Sequence, residues 1–525
     1  MKNTLTFILI IFFSFSCMKG KKVDFIIYNA TIHSLNENNT EYQAMAVKDG
    51  KIVELGPDRQ ILNKYRCPED FDAHGKHIYP GFSDAHTHLL LLAQERLAAN
   101  LNEAKSPEQL LVILEKYQSR NSYDFIIARG LSFQKEQKEA LSVLLTKSFP
   151  AIPVFIISKD AHSAVLNQKA AAFLNISHGN EKFTGVIEEE AFFELYEQFP
   201  EFPEQQIKNQ LFEIQDELLQ YGIVAVHEMG WSNKEYNFFK KLYEDKNWRI
   251  HISAFLFPSD ENMNLLQNGI IKHKNMQIRG LKLLLDGTFG SQTAAISGHY
   301  KNGGNGKINY ADETLDSLLK FAYNHELQLA VHTAGSRSAI TFMNRIKMLK
   351  LDVGNLKWRM EHLQQSTPEV LKLLSELYII PSVQPFHAIS DIQWLRSVIP
   401  DIDKWFYNYK SLYEANGIIA IGSDAPVETF NPFEIIWAAN SRKDSENTPG
   451  SQFNPEEAIS IETLLKAYTQ FNPQIVDLEK NFGILDKQKN ATFFISNLPI
   501  SSNYNSIYNY STGTFIKGKK VYSAE

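Results

Sequence analysis

Tyr79-Pro80-Gly81-Phe82-Ser83-Asp84-Ala85-His86-Thr87-His88 is the stretch that decides the fold. Apolar residues run into Asp84 and then into two histidines spaced two apart. Side chains alternate along a strand, so His86 and His88 point the same way and reach one ion together. Taken alone, a His-x-His pair is weak, because histidines also serve structural ends. Its weight comes from what lies downstream. His332 ends the apolar run Leu327-Gln328-Leu329-Ala330-Val331. His362 ends Trp358-Arg359-Met360-Glu361, and Asp424 ends Ile418-Ile419-Ala420-Ile421-Gly422-Ser423. Lys282 lies on the strand-like run Gly280 to Asp286. Burying such groups without partners costs several kcal/mol each. One metal centre gives all of them partners.

Working outward, eight short runs rich in Val, Ile and Leu end near Asp84, Glu228, Leu256, Asp286, Thr333, Leu363, Pro385 and Asp424. Continuous apolar runs fit strands buried on both faces. Helical patterns separate them, among them Glu313 to Glu326, Ser336 to Lys350 and Thr367 to Tyr378. Strand–helix alternation implies a parallel sheet, and eight units favour a closed (β/α)8 TIM barrel over 80–481. Polar residues at the strands' C-terminal ends then fall where barrel enzymes keep their active sites. The stretch 90–221 is too long for one connection and carries two strands of its own, Phe125 to Ala128 and Val154 to Ile157. It reads as an inserted subdomain. The flanks 22–79 and 482–525 are both β-patterned, with hairpin signals at Asp49-Gly50 and Lys517-Gly518, and are expected to form one small β-sandwich domain from both chain ends.

The 525 residues are 44% hydrophobic and 22% charged, with a net charge of −7 and no basic stripe, which excludes nucleic acid as a partner. Two cysteines, Cys17 and Cys67, leave no disulfide framework and no cysteine zinc site. The segment 1–17 has Lys2, the apolar run Leu5 to Phe13 and then Ser14-Phe15-Ser16-Cys17. It resembles a bacterial lipoprotein signal. That resemblance implies lipidation at Cys17 and an exported, membrane-anchored protein facing the periplasm. An ordinary cleaved signal peptide with an incidental cysteine is the alternative.

The chain as a whole resembles the amidohydrolase superfamily, in the branch of YtcJ-like proteins and N-substituted formamide deformylases. The resemblance rests on Pro80 to His88, on Lys282 with Asp286-Gly287-Thr288-Phe289-Gly290-Ser291-Gln292-Thr293-Ala294, on Arg359-Met360-Glu361-His362, on Gln384-Pro385, and on Gly422-Ser423-Asp424-Ala425-Pro426-Val427-Glu428. It implies two zinc ions, one held by His86 and His88 with Asp424 and the other by His332 and His362, bridged by Lys282 as a carbamate. It also implies a metal-bound hydroxide that attacks a carbonyl, with Asp424 carrying the proton to the leaving group. The reaction implied is hydrolysis of a non-peptide C–N bond in a small-molecule amide or N-substituted formamide. An esterase or lactonase using the same site, and a lipid-anchored binding protein without catalysis, are the alternatives. The second predicts an eroded ligand set, and none of the ligands is missing. A homodimer is left open.

The pattern departs from the family in three places. His332-Thr333-Ala334-Gly335-Ser336 lacks the usual acidic residue, Gln292 stands where arginine is usual, and His227-Glu228 replaces His-Asp. The candidate substrate contacts are His162, Asp286, Gln384 and His387. His162 also reads as a loop hydrogen bond, and Asp286 as a pin for its glycine-rich loop.

Overall fold

The computed structural model describes residues 20–131, 135–158, 163–176, 184–196, 198–400, 402, 405–444, 446, 448 and 451–524. Cys17 with the apolar run before it, and His162, lie outside the described residues.

Eight parallel strands form the body: β1 (Phe82–Thr87), β2 (Ile223–Trp231), β3 (His251–Leu256), β4 (Met276–Leu284), β5 (Gln328–Thr333), β6 (Arg359–His362), β7 (Ile380–Val383) and β8 (Ala420–Ile421). Each pairs with the next in chain order. A parallel bridge between Thr87 and Ala425 brings β8 back to β1. At this seam the Asp424 amide donates to the His86 carbonyl at 2.8 Å, and the His88 amide to the Ala425 carbonyl at 2.9 Å. Gly422 makes the approach possible, because a Cβ there would stand 2.4 Å from the His86 nitrogen. The strands are buried almost throughout, as a sheet covered on both faces requires. The expected helices form at Asp312–Asn324, Ser336–Met348 and Pro368–Leu377. The last opens with Pro368 in its first turn and stops at Tyr378 in a left-handed conformation.

Between β1 and β2 lies a five-stranded sheet ordered Ala99–Asn100, Ile126–Leu131, Val154–Ser158, Ser163–Leu166 and Val186–Glu188. Its first three strands run parallel and the last two antiparallel. Leu110, Leu114, Ile126, Leu141 and Val154 give it a core of its own. Two of these strands stand out in the sequence; the other three are two to four residues long and carry too little pattern. The helix Glu204–Gln220 leads out of this region into β2 and packs on the helix Leu89–Leu97 that follows β1.

The chain ends meet beside the barrel. Phe493–Ser496 pairs with His77–Pro80 on one side and Ser511–Ile516 on the other. This sheet faces a second one made of Phe25–Tyr28, Ala44–Lys48, Lys51–Gly56 and Glu69–Asp72. Ile27, Met45 and Val47 of one sheet and Ile32, Ile78, Phe493 and Phe515 of the other share one apolar cluster. Phe493 and Phe515 stack with centroids 4.5 Å apart. Each such buried side chain contributes about 1.5–3 kcal/mol.

Candidate metal centre

The candidate ligands stand at or just past the C-terminal ends of β1, β4, β5, β6 and β8, and His86, His88, His362 and Asp424 come together closely. His86, His362 and Asp424 each offer a ligand atom within 4.8 Å of the others. Asp424 is the hub. Its Oδ1 lies 3.3 Å from His86 Nε2 and 3.2 Å from His88 Nε2. Its Oδ2 lies 4.0 Å from His362 Nδ1 and accepts a hydrogen bond from His387 Nε2 at 3.2 Å. The His332 ring is 4.3 Å from that of His362, and its Nε2 donates to the Gly287 carbonyl at 3.1 Å. Lys282 is buried on β4 and couples electrostatically to Glu361 and Asp424.

Two ligand-bearing residues are held in unusual backbone. His362 has φ 74° and Asp424 has φ 61°. Left-handed conformations outside glycine cost on the order of 1–3 kcal/mol each and persist only where the surroundings impose them. Here the strands stop and their last side chains are turned inward towards one point.

The donor chemistry fits a metal ion. His86 Nδ1 donates to Glu361 Oε2 at 2.7 Å, which leaves Nε2 with its lone pair. That nitrogen is buried and has no hydrogen-bond partner. It faces a carboxylate oxygen of Asp424, and two electron-rich atoms at this spacing need a cation beside them. Burial, with the Lys282 charge, pushes His86 down to about 4, so protonation does not supply that cation near neutrality. Burial likewise pushes the Lys282 amine down to about 8. The carboxylate–histidine pair is the arrangement that orients metal-ligating imidazoles.

Glu361 was not singled out in the sequence as a functional residue, yet it is the key support. Arg359 holds it through Nε at 2.5 Å and Nη2 at 3.0 Å, and also donates to the Ala85 carbonyl and the Ser382 hydroxyl, each at 2.6 Å. The signal was present: Arg359 and Glu361 are two apart on one strand and therefore share a face. Glu228 is a second support. It accepts from the Thr87 hydroxyl at 2.8 Å, the Leu89 amide at 2.7 Å and Trp231 Nε1 at 2.9 Å, so it grips the chain on both sides of His88.

The candidate substrate contacts divide. Asp286 accepts from the amides of Ala295 (2.9 Å), Ala334 (3.0 Å) and Gly335 (2.9 Å) and from the Ser338 hydroxyl (2.7 Å), which ties the loop after β4 to the turn after β5. Its Oδ1 is also 3.7 Å from His332 Nε2. Gln384 Nε2 lies 3.3 Å from His86 Nδ1, and its Oε1 is buried without a partner. His387 is surrounded by carboxylates. Burial alone would lower it, but Asp424, Asp391 and Glu428 raise it to about 9.

Comparison with known proteins gives the same picture. Residues 69–521 match the amidohydrolase family. YtcJ of Bacillus subtilis (strain 168) is 24% identical over 502 residues, covering 90% of this chain and 93% of that protein. The N-substituted formamide deformylase of Arthrobacter pascens is 21% identical over 486 residues, covering 86% and 89%. The crystal structure of an uncharacterized metal-dependent hydrolase from Pyrococcus horikoshii superposes with a TM-score of 0.76 at 23% identity, over 90% of this chain and 97% of that one. With a barrel whose strand ends gather histidines, a lysine and an aspartate, and a match that runs over most of its length, the chain belongs to the amidohydrolase family of metal-dependent hydrolases.

Proposed function

We propose that the protein hydrolyses a non-peptide C–N bond in a small amide or N-substituted formamide. The observation that carries this reading is Asp424, a buried carboxylate placed among His86, His88 and His387 at the mouth of the barrel. Two zinc ions would be held by His86, His88, His332, His362 and Asp424, with Lys282, carboxylated, as a further ligand. Such ions lower the pKa of bound water towards ~7 and polarise an acyl oxygen.

The chain's own residues do the rest. Asp424 takes a proton from the attacking water at one carboxylate oxygen and delivers it to the leaving nitrogen. General acid–base help of this kind contributes about 10²–10⁴-fold. Burial would raise this carboxyl, but the histidines around it, with the His387 hydrogen bond, hold it below the usual carboxylate range, so it starts ionised. Glu361 fixes the tautomer of His86, and Arg359 fixes Glu361. Burial lowers the Lys282 amine and so raises the share of its neutral form, the one that adds carbon dioxide to give a carbamate.

Lipid attachment at Cys17 and a location on the periplasmic side of a membrane complete the proposal. Among the described residues no helix is long and apolar enough to cross a membrane. Cys17→Ser should release the protein from the membrane fraction or leave it unprocessed; unchanged fractionation and mobility would refute lipidation. The hydrolytic reading is tested by metal analysis of purified protein together with a panel of amides, formamides and lactones. Turnover of amides or formamides is expected. Turnover of lactones alone would assign the same site to ester chemistry.

A further inference from the structure

A cavity of about 320 Å³ lies where the inserted sheet meets the mouth of the barrel. That is the size of a small-molecule site, for which ~300 Å³ is the lower end. Its barrel wall is the segment Pro426 to Thr429, directly after Asp424, together with Leu91 and Glu95 from the helix that follows His88. Its opposite contributors, Asn102, Arg129, Gly130 and Ser158, come from the inserted region.

Arg129 is the unusual member. It is 7% exposed, and its Nε is buried with no hydrogen-bond partner. One edge of the guanidinium is anchored: Nη2 donates to the Tyr196 hydroxyl at 2.5 Å, and Tyr196 in turn lies 3.5 Å from Gln94 Oε1. The group is therefore fixed in place while a donor at its edge goes unused. The backbone next to it is shaped for the purpose. Gly130 has φ 95°, and a Cβ there would stand 2.4 Å from Asn102 Oδ1, so only glycine lets Asn102 close in beside Arg129. A rigid, buried guanidinium with one N–H left unpaired beside the cavity is matched by a carboxylate, the anion whose planar oxygens accept from such an edge.

The two glutamates on the lining do not reverse this preference. Glu428 accepts from the Ser390 hydroxyl at 2.5 Å and stands 3.6 Å from His387 Nδ1, and Glu95 is engaged as well. The orientation follows from Asp424. The leaving nitrogen must lie at this carboxylate to receive its proton, and the residues immediately after Asp424 line the cavity. The amine half of the substrate is thus the half that extends into it.

From this arrangement we infer that the cavity is the subsite for the leaving amine, that Arg129 is its recognition group, and that the amine released ends in a carboxylate. The inference rests on the hydrolytic reading of the metal centre and adds the substrate class to it. The bond broken is the acyl C–N bond; water supplies the hydroxyl to the acid product and the proton to the amine.

Three substrates of one shape test it on metal-loaded protein: N-formyl-β-alanine, N-formylpropylamine and mono-N-formylethylenediamine, which end in a carboxylate, a methyl and an ammonium. The carboxylate should be preferred in kcat/KM, and Arg129→Met should shrink its advantage over the methyl compound by about 10–100-fold, mainly through KM, as loss of a charge-assisted hydrogen bond requires. Arg129→Lys should keep part of it. Preference for the methyl or the ammonium compound, or an unchanged ratio in both variants, overturns the assignment. If none of the three is turned over, the hydrolytic reading is judged separately on the wider panel of amides and lactones. The subsite is then judged by calorimetric binding of the same compounds to the Asp424→Asn protein. There N-formyl-β-alanine should bind tightest, and equal binding of all three overturns it. Should Arg129→Met fail to fold, the wild-type ranking and Arg129→Lys decide.

Discussion

Two clusters in which histidines meet carboxylates, one in the sandwich and one in the barrel, differ in what they leave for an ion. In the small sandwich, His33 Nδ1 lies 3.1 Å from Glu41 Oε1, and its Nε2 is hydrogen-bonded to His77 Nδ1 at 3.0 Å. Both nitrogens are used, the ring stacks on Tyr79 at 4.3 Å, and the Glu41 side chain is 61% exposed. In the barrel, His86 spends one nitrogen on a Glu361 that is wholly buried and locked by Arg359, and the other nitrogen is left with nothing to bond. In both places imidazoles lie within about 5 Å of one another, centroid to centroid: 5.3 Å for His33 and His77, 5.0 Å for His86 and His362. The difference is a rigid partner on one side of the ring and an unmet lone pair on the other.

The comparison is broken most sharply at the hub. Asp424→Asn should lower turnover by about 10²–10⁴-fold while the protein stays folded, measured as kcat on metal-loaded enzyme with circular dichroism as the control. Near-normal turnover would remove the proton-transfer role. Lys282→Ala should leave about one ion per chain where two are proposed, read by elemental analysis; retention of both would dismiss the bridge. Glu361→Gln keeps the shape but weakens the grip on His86, and should cost about 10–100-fold in metal affinity. His77→Ala in the sandwich should leave metal affinity where it was. Equal losses in the two variants would erase the distinction drawn between the two clusters.

The smallest effect is one of pH. Burial, partly offset by Glu41 and reinforced by His77, lowers His33 to about 4 from its ordinary 6.5. Between these values the unfolded chain binds a proton that the folded one refuses. His33 therefore supports the fold above pH 6.5, and that support is lost as the pH falls towards 4. His33→Gln should flatten the decline in Tm across this window, with a difference on the order of 1–2 kcal/mol at its acid end. A slope identical to that of wild type would show that the pair does not titrate on unfolding.

The proximity of His86, His88, His362 and Asp424 was legible in the sequence because strand periodicity carries it. His86 and His88 share a face by their spacing, and His332, His362 and Asp424 each end an apolar run. Glu361 was hidden because its role depends on a partner 275 residues away, which no local pattern announces. Arg129 was hidden for a related reason: its meaning comes from a cavity wall contributed by two separate parts of the chain. Asp286 had two readings in the sequence, and the structure surrounds it with three amides and a hydroxyl. The barrel was legible from its eight apolar runs. The short strands of the insertion were not, since a run of two to four residues shows no period.

The seam between β1 and β8 has a consequence in time. The Ser423 hydroxyl reaches the His86 carbonyl across 337 residues of chain, and the aspartate that completes the ligand set is the next residue. Contacts so distant in sequence form late, after the loop between them has been closed. A growing chain therefore carries its histidines for most of its synthesis with no assembled pocket to put them in. A chain that stops short of its last barrel strand lacks Asp424, and with it the carboxylate that His86 and His88 face.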